Sequence, residues 1–302
     1  MRIGMSLTDQ TGPDALTELR DQLRQAADDG FASAWISNIF GLDALTALAV
    51  AGSQVPGIEV GTAVVPTYPR HPAALAQQAL TAALAVDGRL ALGIGLSHRL
   101  VIEDMHGLSF ERPARHMREY LSILLPLLDG EAADFDGDTM RAKIGLSVPR
   151  PGRVPVLLAA MAPVMLRLAG ERTDGTVLWM TGPATVRDYI LPTITRAAQA
   201  AGRPEPRVVC ILPVCVTDDL ELARTRAARV FAIYGQLPSY RAMLDREGAE
   251  GPADVALIGA EDTVGSQITA LAEAGVTDFV AGEFGRGEDA KRTRALLKSL
   301  IR

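Results

Sequence analysis

The sequence predicts an α/β fold: a (β/α)₈ TIM barrel with insertions after strand four and in the region after strand seven. Eight short apolar segments are typical of strands, and amphipathic helical stripes separate them along 302 residues. The predicted strands lie near residues 3, 33, 60, 92, 156, 178, 211 and 279. A doubly wound sheet is the rival arrangement, but it gives no reason for a count of eight.

Glycine marks the junction between helix and strand at four places, which indicates a repeated βα unit. The junctions are Asp29-Gly30, Asp87-Gly88, Asp174-Gly175 and Ala274-Gly275. Glycine suits the left-handed position that follows a helix. We therefore expect one domain over residues 1–302 rather than two unlike ones.

The segment from Ile58 to His98 is a complete βαβ unit and indicates where chemistry belongs. Its second strand, Arg89–Leu96, alternates large residues with small ones, a pattern typical of a strand buried on both faces. In a closed barrel the small face would leave interior room beside the end of this strand. Because barrels of this kind carry their sites at the carboxyl ends of strands, we look first at the loops Pro66–His71 and Ser97–Ile102.

Three further segments interrupt the alternation of strand and helix. Leu100–Arg112 and Gln236–Ala256 are polar and irregular, and we expect them to be insertions. Ala133–Ile144 is expected to form a small β-hairpin.

Composition excludes several classes of function. The net charge of -6 offers no basic surface for nucleic acid. No apolar run is long enough to span a membrane, and the first residues lack the apolar core of a signal peptide. Cys210 and Cys215 are expected to be unpaired buried thiols in a reducing cytoplasm. The four histidines are too scattered to predict a metal site.

Seven segments, taken in order, carry a family resemblance over nearly the whole chain. They are WISNIFG, GTAVVPTYPRHP, RLALGIGLSH, ADFDGD, VPVLLAAMAP, DGTVLWMTGP and ALIGAEDTV with ITALAEAGVTDF. Through them the chain resembles the bacterial luciferase-like superfamily, and within it the coenzyme F420-dependent oxidoreductases. The resemblance implies a deazaflavin in the barrel mouth, hydride transfer to or from a small organic substrate, and a homodimer paired through the alanine-rich helices Ala44–Ala51 and Ala73–Ala85.

Carried over residue by residue, the resemblance implies a cofactor site at the strand ends. The implied residues are Ser37, Asn38, Ala63, Val64, Leu96, Ser97, His98, Ala159, Ala160, Met161, Thr181 and Gly182. It also implies a cis peptide between Ala63 and Val64. The small residues among them would let a flat ring approach the backbone. Helix N–H groups after Ala162-Pro163 could receive a phosphate.

Two residues of this set are candidates for catalysis. His98 could donate a proton during hydride transfer or only bond to cofactor or backbone. Asn38 could contact the ring edge, cap the next segment, or do both. Asn38-Ile39 stands where sugar-phosphate dehydrogenases of the family carry an Asp-His pair, so a base for hydroxyl oxidation is missing. Reduction of an activated C=C, C=O or C=N bond is therefore the favoured reaction.

Alternatives stay open for the remaining aromatic residues and for the cofactor. His71 is expected to cap a helix, while His106 and His116 are expected to face solvent. Trp179 could form a wall of the pocket or belong to the core. An FMN-dependent monooxygenase of the same superfamily and a non-catalytic ligand-binding barrel are the rival functions.

Overall fold

The computed structural model describes residues 1–8 and 12–301, and eight of its strands close into a parallel barrel. The strands are β1 (Arg2–Ser6), β2 (Ser33–Ile36), β3 (Glu59–Thr62), β4 (Val65–Pro66), β5 (Leu90–Gly95), β6 (Ala133–Asp136), β7 (Arg141–Ile144), β8 (Val156–Leu158), β9 (Gly175–Trp179), β10 (Arg207–Val216), β11 (Leu257–Gly259) and β12 (Asp278–Glu283). The ring runs β1, β2, β3, β5, β8, β9, β10, β12 and back to β1, always in parallel. The predicted TIM barrel is confirmed, since each predicted segment supplies one of these strands.

Helices follow the strands and pack outside them. They are α1 (Ala15–Asp28), α2 (Ala44–Gly52), α3 (Pro72–Ala85), α4 (Pro113–Leu128), α5 (Pro163–Arg172), α6 (Pro183–Thr185), α7 (Leu191–Ala200), α8 (Leu220–Val230), α9 (Pro238–Glu247), α10 (Glu261–Glu273) and α11 (Glu288–Ser299). The backbone of Gly30 is left-handed, with φ of 85°, as expected for the residue that ends α1. None of the helices among the described residues is both long and apolar enough to cross a membrane.

Two hydrophobic layers hold the barrel together. The larger lies between strands and helices, and the smaller fills the barrel interior. The interior cluster consists of Trp35, Ala91, Leu157, Val177, Val209, Ile211 and Val280. Trp35 is fully buried, and a Cβ on Gly61 would lie 2.3 Å from its ring. Glycine at position 61 is therefore what admits a tryptophan to the interior.

An ion-pair network closes the amino-terminal end of the barrel. Arg207 contacts Asp278 at 2.7 Å and Glu59 at 2.6 Å, and Arg2 reaches the same two carboxylates. Burial alone would lower the pKa of Arg207, but the bonds to Asp278 and Glu59 outweigh it and raise the pKa. The network joins the first residues of β1, β3, β10 and β12, so the opposite end is left for a site.

The predicted insertions are present but more regular than expected. Leu100–Met105 forms a π-helical turn, and Gln236–Ala256 contains α9 rather than an irregular chain. The structure also contains β11, which the sequence did not predict. It pairs with residues Val214–Val216 of β10, beyond the point where β9 stops.

The predicted hairpin is confirmed as β6 and β7. Glu119 of α4 is buried beneath its turn and accepts hydrogen bonds from Asp138 N, Thr139 N, Thr139 Oγ1 and Met140 N at 2.6–3.1 Å. Burial opposes ionisation of this carboxyl, but the bonds from Thr139 and its neighbours lower the pKa. A two-stranded hairpin has marginal stability alone. This carboxylate, together with apolar packing of Ala133 and Phe135, attaches it to the barrel.

Candidate active site

The predicted site residues all lie at carboxyl ends of barrel strands, and nine of them are partly exposed there. These nine are Ser37, Asn38, Ala63, Val64, Leu96, Ser97, His98, Ala159 and Met161. They follow β2, β3, β5 and β8, which are consecutive around the barrel. The strand order therefore brings most of the predicted set to one side of the mouth.

The bulge between β3 and β4 turns Val64 toward the barrel interior. The peptide between Ala63 and Val64 is cis, as predicted. An added Cβ on Gly95 would lie 2.7 Å from Val64 Cγ2 and 3.1 Å from the Ala159 side chain, and one on Gly93 would lie 3.1 Å from Val64 Cγ1. The interior room expected beside β5 is thus already occupied by Val64. We call the surface made by Ala63, Val64 and Gly95 the apolar seat.

Two strand ends at the mouth carry non-glycine residues with left-handed backbone. Ser97 after β5 has φ of 62°, and Met180 after β9 has φ of 52°. Such residues cost about 1–3 kcal/mol each and concentrate at functional sites. Both turns redirect the chain where it leaves the barrel, which supports the assignment of this end as the site.

His98 follows β5 three residues after Gly95 and is partly buried. Its ring stands 5.6 Å from that of Tyr240 of α9 at an angle of 50°. Burial lowers the pKa of His98. The side chain is therefore a neutral imidazole at neutral pH, with one N–H donor and one acceptor nitrogen.

Asn38 belongs to a polar network after β2. Its Oδ1 accepts a hydrogen bond from Ala44 N at 3.0 Å, next to the start of α2, and contacts Arg70 at 3.5 Å. Arg70 also pairs with Asp43, which caps α2 through Thr46 N. Capping is therefore one role of Asn38, and its amide nitrogen is still available for a ligand because the network uses only the oxygen.

Three of the predicted cofactor residues are buried. Ala160 is 1% exposed, Thr181 is fully buried, and Gly182 is also buried. Thr181 Oγ1 donates to the carbonyl of Trp179 at 3.2 Å. The space beside Gly182 is filled by the carboxylate of Glu247, whose Cδ would lie 2.3 Å from an added Cβ. Contact between these three residues and a cofactor stays a prediction, and it would involve their backbone groups.

Helices α5 and α6 differ at their amino-terminal ends. Glu247 accepts from Ala184 N at 3.0 Å and from Thr185 N at 2.7 Å, so a protein carboxylate already caps α6. In α5 the first intrahelical bond is Leu166 N to Ala162 O, and Ala162 provides no side-chain cap. The predicted anion position at α5 is therefore the one that the described residues do not fill.

Of the other three histidines, two have the environment that the sequence predicts and one does not. His71 caps α3, because its Nδ1 accepts from Ala73 N at 3.2 Å, and His106 is exposed, both as predicted. The prediction for His116 is wrong: it is buried, its ring lies 3.8 Å from that of Tyr68 at 5°, and Thr67 Oγ1 is 3.0 Å from its Nε2. Burial lowers the pKa of His116 to about 4.

Sequence reasoning missed Tyr240 and Glu247, because both lie in a segment interpreted as irregular. A start signal at Leu237-Pro238 and a stop signal at Gly248, whose φ is 75°, were available. Seven residues separate the pair, so a helix places both on one face.

A closed parallel barrel with a strained, largely apolar mouth and one neutral imidazole defines the class of protein as an α/β-barrel enzyme with its site at the strand ends.

Comparison with known proteins specifies the family. The model of the luciferase-like monooxygenase family matches residues 1–287, so the chain belongs to that family and is an oxidoreductase, as the sequence predicted. The 5,10-methylenetetrahydromethanopterin reductase of Archaeoglobus fulgidus is 27% identical, with 93% of each chain covered. The membership of the luciferase-like superfamily that the sequence predicts is thereby confirmed.

Solved structures show the same fold. The coenzyme F420-dependent tetrahydromethanopterin reductase of Methanopyrus kandleri superposes with a TM-score of 0.83 at 22% identity, covering 99% of this chain and 98% of that one. The oxygenating constituent of 3,6-diketocamphane monooxygenase from Pseudomonas putida, in complex with FMN, superposes with a TM-score of 0.77 at 19% identity. The match covers 99% of this chain and 96% of that one. The fold is therefore shared by proteins that use different cofactors.

Proposed function

We propose that this protein is a coenzyme F420-dependent oxidoreductase that reduces an activated C=C, C=O or C=N bond of a small organic substrate. The observation that carries the proposal is the apolar seat of Ala63, Val64 and Gly95 at the end of β5, with the neutral His98 three residues after Gly95. A flat ring on this seat would have a hydrogen-bond donor in the adjoining loop. When bound, the deazaflavin supplies a hydride, and the protein supplies orientation and a dry pocket.

The residues at the mouth fit such a cofactor. Backbone groups at Ala63 and Ser97 border the seat, and the Asn38 amide nitrogen can donate to a ring-edge carbonyl. The N–H groups of Val164 and Met165 precede the first intrahelical bond of α5 and suit a phosphate. Ala159 and Met161, after β8, would lie between ring and phosphate, while Ser37 and Leu96 contribute backbone only.

His98 is the residue that we assign to proton handling. Hydride delivery to a polarised double bond leaves negative charge on the far atom, and a positioned donor stabilises it. Because burial lowers the pKa of His98, the neutral imidazole would act as a hydrogen-bond donor to that atom. A neutral ring also avoids a fixed charge beside the cofactor.

Cofactor choice is tested by titration of the purified protein with F420 and with FMN, followed by cofactor fluorescence. We expect F420 to bind clearly more tightly. Val64→Asp should abolish F420 binding, since a carboxylate would face the ring, while thermal melting stays cooperative. Tighter FMN binding, or a flavin that copurifies, would favour the FMN-dependent monooxygenase, and binding of neither would favour a non-catalytic barrel.

We also propose a cytoplasmic homodimer in which residues 1–302 form one domain. Two apolar side chains on the α2 and α3 surface support the assembly, Val50 at 42% and Leu84 at 36% exposure. Val50 borders a shallow groove that also includes Ala49 and Gln77. Light scattering at micromolar concentration should give twice the mass of one chain, and Val50→Arg should halve it.

A further inference from the structure

Six aromatic rings form a continuous row along one side of the barrel mouth. In order they are Phe284, Phe231, Trp179, Tyr234, Tyr240 and His98. Successive ring centroids are 5.1–5.9 Å apart, and the first four contacts are edge-to-face at 74–85°. We call this row the aromatic wall. Edge-to-face pairs at these distances are attractive, so the wall is a packed surface rather than a set of separate side chains.

The wall and the apolar seat border the same barrel interior. Trp179, Ala63 and Val64 all pack against the same interior cluster of the barrel. Trp179 also packs against Met180, Leu244 and Val255, the cluster that joins the second insertion to the barrel. The wall therefore meets the barrel interior at Trp179 and continues into the insertion, while the seat borders the same interior from the β3 and β5 side.

No residue of the wall carries a charge at neutral pH. Burial lowers the pKa of His98 and raises the pKa of Tyr240 well above its usual value of 10. The carboxylate of Glu247, which lies on α9 with Tyr240, is committed to the N–H groups of α6. A charged substrate group placed against the wall would lose its water and gain no ion pair in return.

We propose that the aromatic wall is the substrate-facing surface, and that it selects an uncharged substrate whose reducible bond belongs to a flat conjugated system, such as an α,β-unsaturated ketone. The inference rests on the proposed function, because the seat that shares the barrel interior with the wall is where the cofactor would lie. A flat substrate would contact both the cofactor ring and the wall, and the aromatic rings provide contact area at low entropic cost because they are already packed.

The reaction for this substrate class balances without a further reagent. The hydride from reduced F420 forms a C–H bond at the β-carbon, and the C=C π bond breaks. Its electron pair moves toward the carbonyl oxygen, which leaves the substrate as an enolate. His98 hydrogen-bonds that oxygen, and a proton from solvent completes the saturated ketone. The substrate gains two electrons and two hydrogens, and the cofactor is oxidised.

The test measures binding directly with matched probes. Benzylideneacetone is flat, conjugated and uncharged; cinnamate has the same frame but carries a carboxylate; benzylacetone is the saturated ketone. The protein is titrated in a calorimeter with each probe, with and without oxidised F420. The dissociation constant of benzylideneacetone should be at least about tenfold lower than that of cinnamate or benzylacetone. Tyr240→Ala and Tyr234→Ala should each weaken benzylideneacetone binding about tenfold and leave the F420 affinity unchanged.

Tyr240→Phe is the matched control, since it keeps the ring and removes the hydroxyl. The affinity of this variant for benzylideneacetone should stay within about twofold of that of the wild-type protein. Thermal melts establish that each variant folds. Equal or tighter binding of cinnamate, or unchanged binding in both alanine variants, would overturn the inference even when F420 binds normally. Failure of F420 to bind would instead defeat the proposed function, while the probe titrations without cofactor would still report on the wall.

Discussion

Substitution of Gly95 by alanine tests the apolar seat at its tightest point. The added methyl group would lie 2.7 Å from Val64 Cγ2 and 3.1 Å from Ala159 Cβ. Ordinary carbon contacts are about 3.5–4.0 Å, so Val64 or the end of β8 must move by about 1 Å. Inserting a methylene into a packed site costs about 1–3 kcal/mol. A misplacement of about 1 Å at a reacting surface can cost about 10²-fold in rate.

We therefore expect Gly95→Ala to remain folded, with a melting temperature lower by several degrees, and to bind F420 at least about tenfold more weakly. Fluorescence titration and thermal denaturation measure the two effects separately. Gly145→Ala is the control, because its methyl would meet only Ala132 Cβ at 3.9 Å and the residue is exposed. Wild-type F420 affinity in Gly95→Ala would refute the assignment of the seat.

Two other perturbations address the histidines. His98→Ala should lower turnover by about 10²–10⁴ while F420 affinity barely changes; a collapse in affinity with normal turnover of the remaining complex would make His98 a cofactor ligand instead. His116 has its pKa lowered to about 4 in the folded state from 6.5, so the unfolded chain binds more protons between these values and stability falls as pH falls. The free energy of unfolding, measured in urea, should be lower at pH 5 than at pH 7, and this residue should account for at most about 2 kcal/mol of the difference. His116→Phe should reduce the difference; an identical pH dependence in the variant would contradict the assignment.

The barrel was predictable from the sequence because its signals are local. Strand periodicity, helical stripes and junction glycines each lie within a few residues, and they place all eight barrel strands. β11 was missed for the opposite reason: three residues form a strand only because β10 extends beyond β9 and offers a free edge. Such an edge is created by the fold and leaves no mark in Leu257–Gly259 itself.

The candidate site was predicted less completely, since burial at strand ends depends on distant elements. Thr181 and Gly182 follow β9 as expected, yet Glu247 from α9 covers Gly182. His116 could have been assigned better, because it precedes Tyr120 by four residues and so shares the buried face of α4. Ala63 and Ala159, small residues at two other strand ends, are partly exposed.

The pairing of β1 with β12 has a consequence for how the chain folds during synthesis. Arg2 lies beside Asp278 in the closed barrel, so β1, which is synthesised well before β12, has to wait for it. Until then β1 presents an unpaired edge, a recognised hazard for association with other chains. Long-range pairings of this kind also slow folding, because the cost of closing a long loop precedes the gain. We therefore expect a nascent chain that stops before residue 278 to have an open sheet and to depend on chaperones.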